Sequence, residues 1–185
     1  MKFLNSPYTK WIVLFLLALT GFWGAVVMNQ ASHNLIAAAG SDELLDTQLN
    51  VSVETMYAYL NKLGNNGRSV LKSIYLFHDL FFPIIYGSFY IMAIAYFINQ
   101  LSRNKKWMLL TLIPLIMVLA DFIENFIIVQ LINNFPNQNQ GLASILGSIT
   151  LIKWLLGIIA GLVLVTSILL VYIKKIKGRS TRQKS

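Results

Sequence analysis

Four long apolar blocks dominate this chain, and blocks of that length leave few choices of fold. The first, Trp11 to Met28, runs eighteen residues without a charge, just enough helix to cross a hydrocarbon core of about 30 Å. The second covers about Leu80 to Ile98, the third Trp107 to about Ile132, and the fourth about Leu142 to Ile173. In hydrocarbon the backbone N–H and C=O groups must be satisfied within the segment, so each block reads as a helix. The expected fold is all-α: a four-transmembrane-helix bundle forming one integral membrane domain over residues 1–185. Composition agrees, because 12% charged residues beside 56% hydrophobic ones is about half the charged share of soluble domains.

The spans are not uniform. The first is open to a second reading as a cleaved signal peptide, since Lys2 and Lys10 precede it and Ala31 or Ala37-Ala38-Ala39 follow it. A retained anchor accounts better for its length. Pro83 and Pro114 fall inside spans two and three and predict local kinks, tolerable where neighbouring helices satisfy the freed carbonyls. The fourth block exceeds what a bilayer requires and should tilt or run on into water.

Basic residues set the expected direction. Lys2 and Lys10 precede span one, Arg103, Lys105 and Lys106 join spans two and three, and six Lys or Arg follow span four. The connection 133–141 carries no charge. Both termini are therefore expected in the cytosol of a multi-pass cell-membrane protein, with Tyr8, Trp11, Trp107 and Tyr172 at that boundary. The same placement accounts for the net charge of +8 by orientation and attraction to anionic lipid, and argues against nucleic acid as a partner. The basic tail, 174–185, could also dock an acidic partner.

Residues 29–77 form the outer segment. Ser52 is placed to cap a helix with Glu54 in its first turn, and Val53, Met56, Tyr57 and Leu60 recur at helical spacing. Gly64 would end that helix, Asn65-Asn66-Gly67 would turn the chain, and a second helix would start near Arg68. The hairpin would lie on the membrane or over the mouth of the bundle. Asn50-Val51-Ser52 matches the glycosylation sequon.

Most informative are the ionisable residues at membrane depth, where Asp or Lys costs about 2.5–3.5 kcal/mol on insertion scales. Asp121, Glu124 and Asn125 share one face of span three by their i, i+3, i+4 spacing. Asp121 and Lys153 each lie about ten residues from the outer ends of their spans, roughly 15 Å down. Lys153 can thus neutralise one carboxylate, leaving the other to stay protonated or to borrow a partner. Span two adds Asp79, Pro83, Tyr86 and Tyr90 on one face, with Gly87 permitting close approach and His78 beside Asp79. These residues predict an outward-opening polar pocket ringed by Asp79, Tyr86, Asp121, Glu124, Asn125 and Lys153, with Arg68 at its mouth. Equally, buried polar groups can simply glue membrane helices together.

Three stretches, Leu60 to Arg68 (LNKLGNNGR), Asp79 to Gly87 (DLFFPIIYG) and Asp121 to Asn125 (DFIEN), resemble a group of small bacterial four-helix membrane proteins. That group has an L-G-x-x-G-R turn, a D-L-x-F-P-x-x-Y-G span and a D-x-x-E-N span. The resemblance covers about residues 50 to 130. It implies that these positions travel together and supplies neither substrate nor reaction.

Function narrows to three readings. In the first, a membrane-embedded protein binds or acts on a lipid or lipophilic small molecule. Asp121, Glu124 and Asp79 would be its acids and bases, and Asn125, Lys153, Tyr86 and Arg68 would hold the substrate. The absence of cysteine excludes thiol chemistry, and His78 and Asp79 adjoin in sequence, so no Ser-His-Asp grouping is evident. In the second, the same acids relay a proton or cation in a small transporter, as an oligomer. The third is an accessory or sensory protein whose polar residues are structural. Nothing calls for a cofactor. A metal held by His78, Asp79, Asp121 and Glu124 lacks recognisable ligand spacing. Gly157 and Gly161 form a G-x-x-x-G pattern that serves helix approach within the chain or in a homodimer.

Overall fold

The computed structural model describes residues 3–40, 44–45, 52–102 and 104–182, with side chains to residue 178. Asn50 and Val51 of the sequon, Arg103 and the end of the basic tail lie outside the described residues or their described side chains. The described residues are helical almost throughout: α1 (Thr9–Ala39), α2 (Val53–Lys62), α3 (Gly64–Leu101), α4 (Lys105–Asn134) and α5 (Gln140–Arg182). Four of them, α1, α3, α4 and α5, are long and apolar enough to cross a membrane. The fold is an all-α four-helix bundle of multi-pass type. Its surface reverses the soluble pattern: Leu162 is 63% exposed and Phe126 62%, while Glu124 is 0% exposed. Only an apolar surrounding makes that distribution favourable.

Hydrogen bonds gather the chain ends. At one end of the bundle the Asn99 side chain donates to that of Asn5 at 2.7 Å, and Lys174 Nζ donates to the Gln100 carbonyl at 2.8 Å. At the other end the Asn139 backbone N–H donates to the Tyr57 hydroxyl at 2.7 Å, fastening α2 over the connection between α4 and α5. The basic flanks therefore share one end, and the outer hairpin closes the other. Two apolar clusters fill these ends. Leu35, Met56, Leu60, Leu71, Tyr75 and Leu131 belong to the hairpin-side cluster. Val13, Ala93, Ile94, Ile98 and Leu164 make up the other.

Three local departures from the sequence expectation have clear causes. The first helix does not stop near Met28 but runs eleven residues further, to Ala39, because Ala31 and Leu35 find burial there (1% and 0% exposed). Gly40, at φ +65°, ends it. Helix α3 begins at Gly64, one turn before Arg68, so Asn65, Asn66 and Gly67 are its first turn and not the reversal. Gly64 alone, at φ +63°, reverses the chain. Gly67 instead marks a close approach, since a Cβ there would lie 2.6 Å from the Ala39 Cβ. Finally, α5 is a continuous helix of 43 residues, roughly 65 Å at the helical rise, long enough to leave the bilayer.

Ser52 caps α2 by accepting from the Thr55 backbone N–H at 3.1 Å. The backbone N–H at Glu54 and then the Ser52 side chain hold the Glu54 carboxyl below the usual carboxylate range. A depressed folded value means this contribution is present above the ordinary range and lost as pH falls through the depressed one. Ser52→Ala removes the cap and should lower stability by about 1 kcal/mol, measured as an earlier midpoint in denaturant titration of the detergent-solubilised protein. An unshifted midpoint would show that tertiary contacts alone hold α2.

Candidate polar site within the bundle

Between the two apolar clusters lies a polar layer supplied by three helices. Helix α3 brings Asp79 and Tyr86, α4 brings Asp121, Glu124 and Asn125, and α5 brings Thr150 and Lys153. Asp79, Asp121, Glu124, Asn125, Thr150 and Lys153 are all buried. Close packing brings the helices this near: a Cβ on Gly87 of α3 would sit 2.2 Å from Val118 Cγ2 of α4, so only glycine allows the approach.

A connected chain of polar contacts crosses the layer. The Tyr86 hydroxyl donates to Asp121 Oδ2. Lys153 Nζ stands 3.5 Å from Asp121 Oδ1 and is also paired with Glu124 Oε2. The Thr150 hydroxyl reaches Glu124 Oε1 and, at 3.1 Å, the Leu146 carbonyl. Lys153 therefore bridges the two carboxylates of α4 instead of serving one. With Asp79 there are three carboxylates beside one ammonium. Full ionisation would leave two unbalanced charges in a low-dielectric interior.

Asn125 has a different task. Pro83 lacks the N–H that would ordinarily reach the Asp79 carbonyl one turn back. The Asn125 side chain supplies the missing donor, at 3.1 Å from that carbonyl. Just before it, Ile74–His78 is wound as a π-helix, and the Trp23 indole N–H donates to the His78 carbonyl at 3.0 Å. Carbonyls on this stretch are thus met by side chains from α1 and α4. Pro114, by contrast, sits in the first turn of the α-helical part of α4, directly after a 3-10 stretch over Lys105–Thr111, where no intrahelical donor is needed.

A cavity of about 560 Å³ adjoins the layer. Asp79, Tyr86, Asp121 and Lys153 line its polar side; Met28, Met117 and Gly157 are among its apolar walls. Glu124 and Asn125 stand behind this wall, not in it. Leu44, itself part of the hairpin-side cluster, lies over one part of the cavity. Trp154 and Ile158, 46% and 58% exposed, also belong to the lining. Part of the lining is therefore exposed on the surface of α5, and α1 contributes Gly24 and Met28.

Arg68 is not brought to this group. It donates to the Leu60 carbonyl at 2.7 Å and to the Asn65 side chain, and its guanidinium lies 4.2 Å from the Phe135 ring centroid. Its work is to cap the end of α2 and pin the hairpin to α4. No three of the described His, Asp and Glu side chains form a metal-ligand group; Lys153 occupies the space between Asp121 and Glu124. Of the two glycines in the G-x-x-x-G pattern, Gly157 packs on Met117 within the chain, with 3.3 Å from an added Cβ to the sulfur, while a Cβ on Gly161 meets nothing within 4 Å. The sequence reading missed Thr150 and Trp23. Thr150 was findable, standing at i−3 from Lys153 on the same face; the Trp23 contact joins residues 55 apart and has no local signature. No protein family, curated protein or solved structure matches this chain.

Proposed function

We propose that this multi-pass membrane protein, with both termini on the cytosolic side, admits a lipophilic small molecule into its cavity and performs acid–base chemistry on its polar end. One observation carries the reading: a continuous polar chain, Tyr86–Asp121–Lys153–Glu124–Thr150, ends on a cavity whose other walls are apolar. A bundle needing only glue has no reason to present two carboxylates to a space of that size. The orientation rests on the gathering of the basic flanks at one end, as the charge rule for cytosolic loops requires.

In this reading the residues divide by position. Asp121 accepts from Tyr86 and faces the cavity, so it is placed as the base; Asp79, also in the polar lining, is the second carboxyl that returns a proton. Lys153 holds the charge of the layer and meets the polar end of the ligand. Glu124, fully buried, anchors Lys153. Asn125 supports the wall by meeting the Asp79 carbonyl that Pro83 leaves without a backbone donor. The fitting ligand is an amphiphile with a hydroxyl or carbonyl at its head and an apolar tail toward Trp154 and Ile158.

Entry is tested by titrating the detergent-solubilised protein with a brominated long-chain alcohol. The expected result is saturable quenching of a Trp154 signal, identified by its absence in Trp154→Phe and abolished by Gly157→Leu, which fills the cavity. Equal quenching in Gly157→Leu would place the alcohol in the surrounding micelle and end the reading. Chemistry is tested with a long-chain 2-ketone in deuterated water. Deuterium should enter beside the carbonyl about 100-fold faster than in Asp121→Asn, a usual scale for one acid–base group. Binding without exchange would shift the reading to a proton- or cation-coupled transporter. That alternative draws on the contrast between Asp121 at the cavity and Glu124 sealed behind it, as in a relay. A homodimer carrying such transport would have Gly161, not Gly157, for its contact.

A further inference from the structure

A second cavity, of about 690 Å³, lies at the basic end of the bundle and shares no residue with the first. It is a groove between the end of α3, the start of α4 and the second half of α5. Leu162, Val163 and Leu170 are among its apolar walls, and Trp107, Lys174 and Lys177 stand among its lining. Leu162 and Lys177 are fifteen residues apart on one continuous helix, roughly 22 Å at the helical rise. One leaflet of hydrocarbon is about 15 Å deep. The groove thus has the length of a leaflet and places its charge where headgroups lie.

Basic residues gather at its rim. Eleven of the fifteen Lys and Arg residues lie in the flanks 1–10, 102–107 and 174–185, and none of the seven Asp and Glu residues does. Lys174 is held in place by its bonds to the Gln100 and Leu101 carbonyls, at 2.8 and 3.2 Å, the last acceptors of α3. That ammonium is therefore fixed at the mouth and does not sweep through solvent. An apolar slot one leaflet long, a basic rim and an interfacial tryptophan are the complement of one ligand class.

We propose that this groove binds an anionic glycerophospholipid, with an acyl chain along Leu162–Leu170 and the phosphate at Lys174 and Lys177. Trp107 sits at the glycerol level, as aromatic residues do at interfaces. The lipid neutralises the basic end and seals the gap where α3, α4 and α5 splay apart.

Native mass spectrometry of the full chain, exchanged into phosphatidylglycerol or into phosphatidylcholine with the same acyl chains, decides the matter. Phosphatidylglycerol should remain bound under activation that strips phosphatidylcholine. Lys177→Gln should cut the preference about fivefold, the worth of one basic residue at an anionic surface. Thr166→Trp, which fills the groove and leaves every charge in place, should abolish retention. Equal retention of the two lipids overturns the proposal. So does preference surviving in Thr166→Trp, because the charge would then act without the groove. Neither substitution touches Asp121, Tyr86 or Gly157, so the result is independent of the proposed function.

Discussion

Lys153→Met is expected to destabilise the protein by about 3–5 kcal/mol, the usual consequence of removing one partner from a buried ion pair. The loss should be large here because Lys153 serves two acids, Asp121 at 3.5 Å and Glu124 at closer range. Without the ammonium, both must bind protons or stay charged in an apolar interior. The double change Lys153→Met with Glu124→Gln removes the more deeply buried charge together with its partner and should recover more than half of the loss. Denaturant titration of the three proteins in the same detergent measures both numbers. If Lys153→Met unfolds at the wild-type midpoint, the bridge contributes nothing, and the layer has some other arrangement of protons. Full recovery in the double variant would make the pair mutually compensating and leave the cavity-facing Asp79 and Asp121 as the groups kept at a cost.

The second large effect concerns a neutral residue. Asn125→Leu keeps the branching of the side chain and removes the donor that meets the Asp79 carbonyl. An unsatisfied buried acceptor costs roughly 1–3 kcal/mol, and in hydrocarbon no water can take the donor's place. The origin of the requirement is Pro83, so Pro83→Ala, which restores a backbone N–H at that position, should make Asn125 largely dispensable. A double-mutant cycle of Asn125→Leu and Pro83→Ala then yields a coupling comparable to the single cost of Asn125→Leu. Simple additivity would mean that the carbonyl is satisfied in another way, and that Asn125 does not answer to the proline.

That linkage explains why the stretches DLFFPIIYG and DFIEN belong together in physical terms. Pro83 opens a carbonyl on α3, Asn125 closes it from α4, and Gly87 lets Val118 approach closely enough for the two helices to meet there. LNKLGNNGR is likewise one device: Gly64 reverses the chain, Gly67 admits Ala39, and Arg68 caps the Leu60 carbonyl. Arg68 holds this hairpin through the Leu60 carbonyl, the Asn65 side chain and the Phe135 ring.

The four long helices, the Ser52 cap, the end of α2 at Gly64 and the shared face of Asp121, Glu124 and Asn125 were all determined by the sequence alone, since each rests on local chemistry or on helical period. The reach of α1 to Ala39, the position of the reversal at Gly64, the bridging by Lys153, the carbonyl taken by Asn125 and the lining of the cavity were decided only in the tertiary structure. Residue spacing specifies which side chains leave a helix together, but not how the helices rotate and cross. That rotation settles which of two neighbouring acids meets a cavity and which is sealed behind it.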